Sequence, residues 1–293
     1  MGRKRLNPRG CRRTEVLHAG RTVEVRIRHS PTISEVRAYN YTIGRLPSPS
    51  WPIIRQSPST VPNPGPSSPP QLAPAPALRC AQVADRLVLL DLSTGVYDVV
   101  DEIGTAMWVQ LTRPPAERDF AALAETYGVP AAAVAADTAD FAASQMAAGR
   151  LVPAPHRTPP PAAVRAARRR PTIMRALAER AAADRDLRKS FASAYCKRTR
   201  PLADPTEPRA DVRLTTQRFF TAEGLYPARQ APLDCLPRSL ALTSFLRAAG
   251  WPAQHVIGVA LYPFEAHAWV ELDGVALNES DSALHRFTVI QRA

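Results

Sequence analysis

A thiol paired with an imidazole can attack a carbonyl carbon at neutral pH, and this sequence offers such a pair in Cys235 and His267. Cys235 follows Asp234 and precedes Leu236-Pro237, an order that predicts a helix start with Asp as cap and Pro in the first turn. Unpaired backbone N–H groups and the helix dipole at such a point favour a thiolate, the nucleophilic form. Leu236, Leu240, Thr243 and Leu246 follow at helical spacing, so the helix has a buried face to hold the cysteine. The plainer reading of a lone cysteine is a small buried apolar side chain. His267 is what favours chemistry over packing.

His267 lies in Ala266-His267-Ala268-Trp269-Val270-Glu271-Leu272, an alternating segment that reads as a strand ending at Asp273-Gly274. The length of that turn decides which residue meets the imidazole. A two-residue loop sets His267 opposite Ser280. A three-residue loop with Gly274 in the left-handed position sets it opposite Glu279, which supplies a carboxylate to orient the ring. Glu279 is therefore the expected third member, with Asn278 as the alternative. His255, at the head of an apolar strand, reads as structural, and His285 lies near the chain end beside Arg286. The backbone N–H of Cys235 is one candidate oxyanion donor; Gln217 and Gln230 are candidates for another.

These residues need a helix followed by antiparallel strands. Asp234 to Ala249 reads as that helix, closed by Gly250, and Ala253–Leu261, His267–Leu272 and Val275–Asn278 read as the strands. That order fits a papain/transglutaminase-like domain over residues 172–293. It opens with a basic amphipathic helical region, 172–200, and a helix over 211–226. Before it, 79–83, 86–92 and 96–100 read as strands, with Ser93-Thr94-Gly95 as a turn. Glu102–Leu111, Ala116–Tyr127 and Pro130–Ala148 read as helices, the last two closed by Gly128 and Gly149. Three strands and three helices over 77–153 make a small winged-helix-like domain, so the fold class is α+β. Residues 154–171 are the linker.

Residues 1–76 differ. Eleven of the chain's 30 prolines fall between Pro47 and Pro76. Such a segment buries too little apolar surface to offset its ordering entropy. The expectation is a Pro-rich disordered tail, or the product of a start codon placed too far upstream. Within it Thr22–Arg28 alternates like a strand but has no partner nearby.

The net charge of +12 raises the question of nucleic acid. Residues 1–45 carry +8 and 154–293 carry +8, whereas 77–153, with five basic and ten acidic groups, carry −5. The winged-helix-like segment is thus the wrong sign for DNA. The four cysteines form no CxxC pair, which argues against a zinc site or a disulfide framework. No apolar run approaches the ~18–20 residues of a membrane span, and no apolar segment follows the basic N-terminus. The expected location is cytoplasmic, with no metal, no cofactor, no nucleic acid and no membrane.

Asp234-Cys235-Leu236-Pro237-Arg238-Ser239-Leu240, Gly250-Trp251-Pro252 and Pro263-Phe264-Glu265-Ala266-His267-Ala268-Trp269-Val270-Glu271-Leu272-Asp273-Gly274 together resemble the leader peptidases of lasso-peptide biosynthesis, the transglutaminase-like B proteins. That family usually has Asp twelve positions after the His, where this chain has Glu279. The segment Arg86–Leu92, Gly95-Val96-Tyr97, Asp101–Gly104 and Trp108 is similar to the PqqD-like element that binds precursor leaders. The resemblance implies that a leader strand adds to the edge at Val96, Tyr97, Val99 and Val100. It rests there against a helix carrying Val134 and Phe141.

The resemblance also implies a cysteine peptidase that removes the leader of a ribosomally made lasso-peptide precursor. The core then passes to an ATP-dependent, asparagine-synthetase-like macrolactam cyclase. A transglutaminase-like acyltransferase and a non-catalytic peptide-binding scaffold are the alternatives.

Overall fold

The computed structural model describes residues 12–18 and 21–28 as backbone, and residues 71–154, 163, 169–201, 211–227 and 234–293 in full. The expectations for the rest of residues 1–76, for most of the 154–171 linker and for Gln230 lie outside the described residues. The chain packs as two compact units, with the division falling inside one helix. Residues 74–105 belong with 157–293, and 106–156 form the second unit.

The first unit contains a five-stranded sheet. Its centre is an antiparallel meander of β4 (Leu78–Val83), β5 (Arg86–Asp91) and β6 (Val96–Val100), the three strands read from the sequence. Asp91 shapes the β5–β6 turn, accepting from the Ser93 N–H at 2.7 Å and, through its carbonyl, from the Gly95 N–H at 2.7 Å. The sheet continues past β6 into β2 (Arg21–Arg28) and β1 (Arg12–His18), in the order β1-β2-β6-β5-β4. The segment expected to lack a partner is therefore a strand with two. It pairs antiparallel with β1 and parallel with β6, Val25 opposite Tyr97. The parallel partner lies some seventy residues away, where no local pattern could announce it.

After β6, α1 (Glu102–Thr112) is capped by Asp101, whose carboxylate accepts the Gly104 N–H at 2.8 Å. In the second unit α2 (Phe120–Tyr127) starts later than the sequence suggests. Pro114 and Pro115 hold a single 3-10 turn, and Asp119 caps the helix proper by accepting from the Ala122 N–H. α3 (Ala131–Ala147) begins after Pro130, which sits at the cap position rather than in the first turn. A short ribbon of β3 (Leu72–Pro74) and β7 (Leu151–Pro153) completes this part.

The basic region 172–200 is two helices, α4 (Ile173–Lys189) and α5 (Phe191–Thr199). Ser190 separates them: its extended backbone ends α4, and its hydroxyl accepts the Ser193 N–H to cap α5. α6 (Val212–Leu225) and α7 (Cys235–Ala249) follow. The second sheet has the order β10-β9-β8-β11, made of β8 (Gln254–Ala260), β9 (Glu265–Leu272), β10 (Val275–Ala276) and β11 (Thr288–Arg292), with α8 (Asp281–Leu284) before the last strand.

α7 is buried almost all round, as a helix between two layers must be. Ala241, Leu242, Phe245 and Leu246 pack against Ala176 and Ala183 of α4 and Phe219 and Ala222 of α6. Cys235 and Leu240 join a second core with Ile257, Val259 and Ala268 of the β8–β9 pair and Val88, Leu90, Tyr97 and Val99 of the meander. Among the described residues no helix is long and apolar enough to cross a membrane.

Candidate active site

Cys235 is the first residue of α7. Asp234 holds the cap position, but its carboxylate makes no capping bond. It turns instead to Arg180 of α4, 3.1 Å away. Arg180 is buried and also meets Asp184 at 2.6 Å and Glu223 of α6 at 3.0 Å. One guanidinium thereby ties two helices, α4 and α6, to the start of α7, and removing it would leave the buried Asp234 carboxylate without this counter-charge.

The Cys235 thiol is 6% exposed. Burial pushes its pKa up to about 11; N–H groups of Ala268 and Leu236 that donate to Sγ oppose this, and the nearby charges of Asp234 and Glu279 add to it. Desolvation of the charged form thus works against the thiolate that the amides at the helix start favour.

The Ala268 contact follows from the shortness of β10. Val270 directs its N–H and carbonyl toward the β10 side, and in a strand the residue two positions earlier does the same. β10 ends at Ala276, which leaves the Ala268 N–H to point at the sulfur. The thiol is therefore fixed beside the residue that follows His267.

His267 lies opposite Gly258, and its Nε2 is 3.1 Å from Glu279 Oε1. With Nε2–H donating to the carboxylate, Nδ1 carries the free lone pair of the ring. Phe287 stacks on the ring at 5.4 Å and Trp269 at 6.2 Å. Gly258 makes room for this stack: a Cβ there would lie 2.7 Å from the Trp269 ring and 2.9 Å from Phe287 Cβ.

Glu279 reaches His267 by a different route from the one the hairpin suggested. The turn is a two-residue loop, Asp273 (φ 50) and Gly274 (φ 80), with Leu272 paired to Val275. Continued regularly, that register would bring Ser280 to His267. The ladder instead stops at Ala276. Leu277 still donates to the Val270 carbonyl at 2.9 Å, but the Val270 N–H goes to Asn278 Oδ1 at 2.7 Å. The side-chain amide stands in for the main-chain carbonyl, the backbone leaves the sheet, and Glu279 swings to the imidazole. Asn278, the alternative third member, is thus engaged with Val270, and the structure brings Glu279 to the ring.

The competing histidines fall elsewhere. His255 is fully buried with Nε2 2.9 Å from Ser239 Oγ, and burial pushes its pKa down to about 3, the Arg247 charge acting in the same direction. His285 is exposed, with Nδ1 2.6 Å from the Ser282 carbonyl. Gln217 is exposed on α6. Cys80 and Cys196 are free thiols, half-buried and exposed. The Arg180 cluster went unnoticed in the sequence; the Arg180/Asp184 spacing of four was its one local signal.

Residues 176–292 match the model of the transglutaminase-like superfamily, and residues 86–151 match that of coenzyme PQQ synthesis protein D. A 57-residue segment is 39% identical to the microcin J25-processing protein McjB of Escherichia coli, covering 20% of this chain and 27% of that relative. The chain has the architecture of a lasso-peptide biosynthesis B protein. The match thus spans about a quarter of the relative's length, and no solved structure matches the chain.

In this B-protein architecture the PqqD-like part carries the residues expected at the leader edge. Tyr97, Val99 and Val100 are buried and Val96 is half-buried. Tyr97 and Val99 belong to the core that holds Cys235, and the edge of β6 away from β5 pairs with β2. Val134 and Phe141 lie on α3 in the second unit, fully buried and half-buried.

Proposed function

We propose that this protein is a cysteine peptidase that removes the leader from a lasso-peptide precursor. The observation that carries the reading is the His267–Glu279 pair at 3.1 Å beside a helix-start cysteine whose sulfur accepts the Ala268 N–H. Cys235 Sγ attacks the carbonyl carbon of the scissile peptide bond as its proton passes to His267 Nδ1. The oxyanion forms beside the N–H groups that open α7. The protonated imidazole, held by Glu279, gives its proton to the leaving amine, and the thioester remains on Cys235. A water molecule deprotonated by His267 then hydrolyses that thioester.

The PqqD-like part supports a substrate recognised by its leader, added as a strand. Tethering the leader on the same chain raises the effective concentration of the junction at Cys235. Hydrolysis exposes the amine of the core, the group a macrolactam cyclase joins to a side-chain carboxylate, so an ATP-dependent, asparagine-synthetase-like cyclase is the expected partner.

The test is incubation of the full chain with a synthetic lasso precursor from the same gene cluster, read by mass spectrometry. Cleavage into leader and core, reduced by about 10³-fold or more in Cys235→Ala, is the expected result. Cleavage undiminished by Cys235→Ala would overturn it and leave a binding scaffold. A covalent adduct between a Gln-containing peptide and an added primary amine, without cleavage, would instead identify an acyltransferase.

A further inference from the structure

At 6% exposure Cys235 is closed to a peptide carbonyl, so something that covers it must move. The core that holds it includes Leu240 and Ala268, with half-buried Leu236, Phe264 and Ala266 packed against that core. Val88, Leu90, Tyr97 and Val99 of the PqqD-like sheet belong to the same core. Within that group Tyr97 is distinctive. Its ring meets Phe264 edge-on at 5.4 Å, and a charge on Cys235 opposes ionisation of its hydroxyl.

The sheet that carries Tyr97 is pressed onto the second sheet and the helices at several points. A Cβ on Gly95 (φ 76) would lie 2.8 Å from Phe191 Cγ, so the β5–β6 turn sits directly on α5. Arg79 of β4 donates to Gln291 of β11 at 2.6 Å. Arg86 lies over the Tyr262 ring at 5.5 Å. Along β6, Tyr97 stands opposite Leu90 of β5 on one edge and Val25 of β2 on the other.

We propose that Tyr97 is the gate of the nucleophile, a side chain of the recognition sheet that covers the Cys235 thiol and withdraws to admit the substrate carbonyl. The link to a leader rests on the proposed function. A leader strand that replaces β2 exchanges the backbone partners of the residue that covers the thiol, so recognition and access meet in one residue. The gate itself does not depend on what the substrate is.

The experiment is alkylation of the full chain with iodoacetamide, each cysteine quantified by peptide mass spectrometry, with exposed Cys196 as internal standard. In the wild type Cys235 labels far more slowly than Cys196. Tyr97→Ala accelerates Cys235 by roughly tenfold or more, leaves Cys196 unchanged, and Tyr97→Phe stays near the wild type because the ring remains.

A thermal melt shows whether Tyr97→Ala still unfolds cooperatively. If it does not, Phe264→Ala removes the ring on which Tyr97 rests and is expected to accelerate Cys235 severalfold. Equal rates at Cys235 in the wild type and in the cooperatively folded variants overturn the gate. Failure of the wild type to cleave a precursor overturns the leader reading and leaves the labelling contrast standing, so the two failures are distinguishable.

Discussion

His255 and His267 stand on neighbouring strands of one sheet, yet their surroundings give them opposite chemistry. His255 is sealed, with Tyr195 edge-on at 5.5 Å and Ser239 at 2.9 Å, and the Arg247 cation opposes its protonation. Nothing there stabilises a proton on the ring, so it stays neutral. His267 keeps 16% of its side chain in solvent and has a carboxylate 3.1 Å from Nε2. Aromatic rings hold it in plane beside that carboxylate, the surroundings that the proposed base requires. One histidine of the sheet is thus set apart from the other by a partner carboxylate and limited exposure.

The sharpest way to break this contrast is to remove each ring in turn. His267→Ala is expected to lower kcat/KM for precursor cleavage by about 10³–10⁴-fold, the range of a lost general base. His255→Gln is expected to keep kcat/KM within about twofold and to lose about 1–3 kcal/mol of stability, the cost of disturbing a buried hydrogen bond. Rates measured well below the melting temperature, with urea unfolding of both variants, decide it. A catalytic collapse in His255→Gln would reverse the assignment.

A smaller effect separates the two members of the loop that serve His267. Glu279→Gln keeps the shape but removes the charge that holds the imidazolium, and about 10²-fold is expected in kcat. Asn278→Ala leaves the Val270 N–H unpaired, for about 1–2 kcal/mol of stability, and about tenfold in kcat as Glu279 loses its aim. Restoration by Asn278→Asp, whose carboxylate also accepts the N–H, marks the residue as positioning; an unchanged Asn278→Ala enzyme would show that the loop holds Glu279 without it.

The contrast also shows what was legible in the residues. Strands β4 to β6 were read to within a residue because alternation and Asp91-to-Gly95 turn chemistry are local signals. Glu279 was reached with the wrong turn, since a side-chain substitution in the ladder at Asn278 leaves no periodic trace. The helix start at Cys235 is visible in sequence, but the apolar core around it is not: Val88, Leu90 and Tyr97 come from some 140 residues away. Strand β11 and the Arg180 cluster were missed for the same reason. β11 pairs with β8 across an intervening hairpin, and Glu223 and Asp234 reach Arg180 across 43 and 54 positions.

The gentlest probe of the two histidines is acid. Burial lowers the His255 pKa from 6.5 to about 3 in the fold, so between those values the unfolded chain holds a proton that the native state refuses. Stability therefore rises with pH across this window and falls as pH drops from about 6.5 toward 3, with no further contribution above the unfolded value. A glutamine at position 255 carries no titrating proton. Thermal melts of the wild type and His255→Gln from pH 7 down to pH 4 should converge as the pH falls, because the wild type alone bears this proton-linked loss. Parallel curves would mean that His255 accepts a proton within the fold, which would erase the distinction between the two rings.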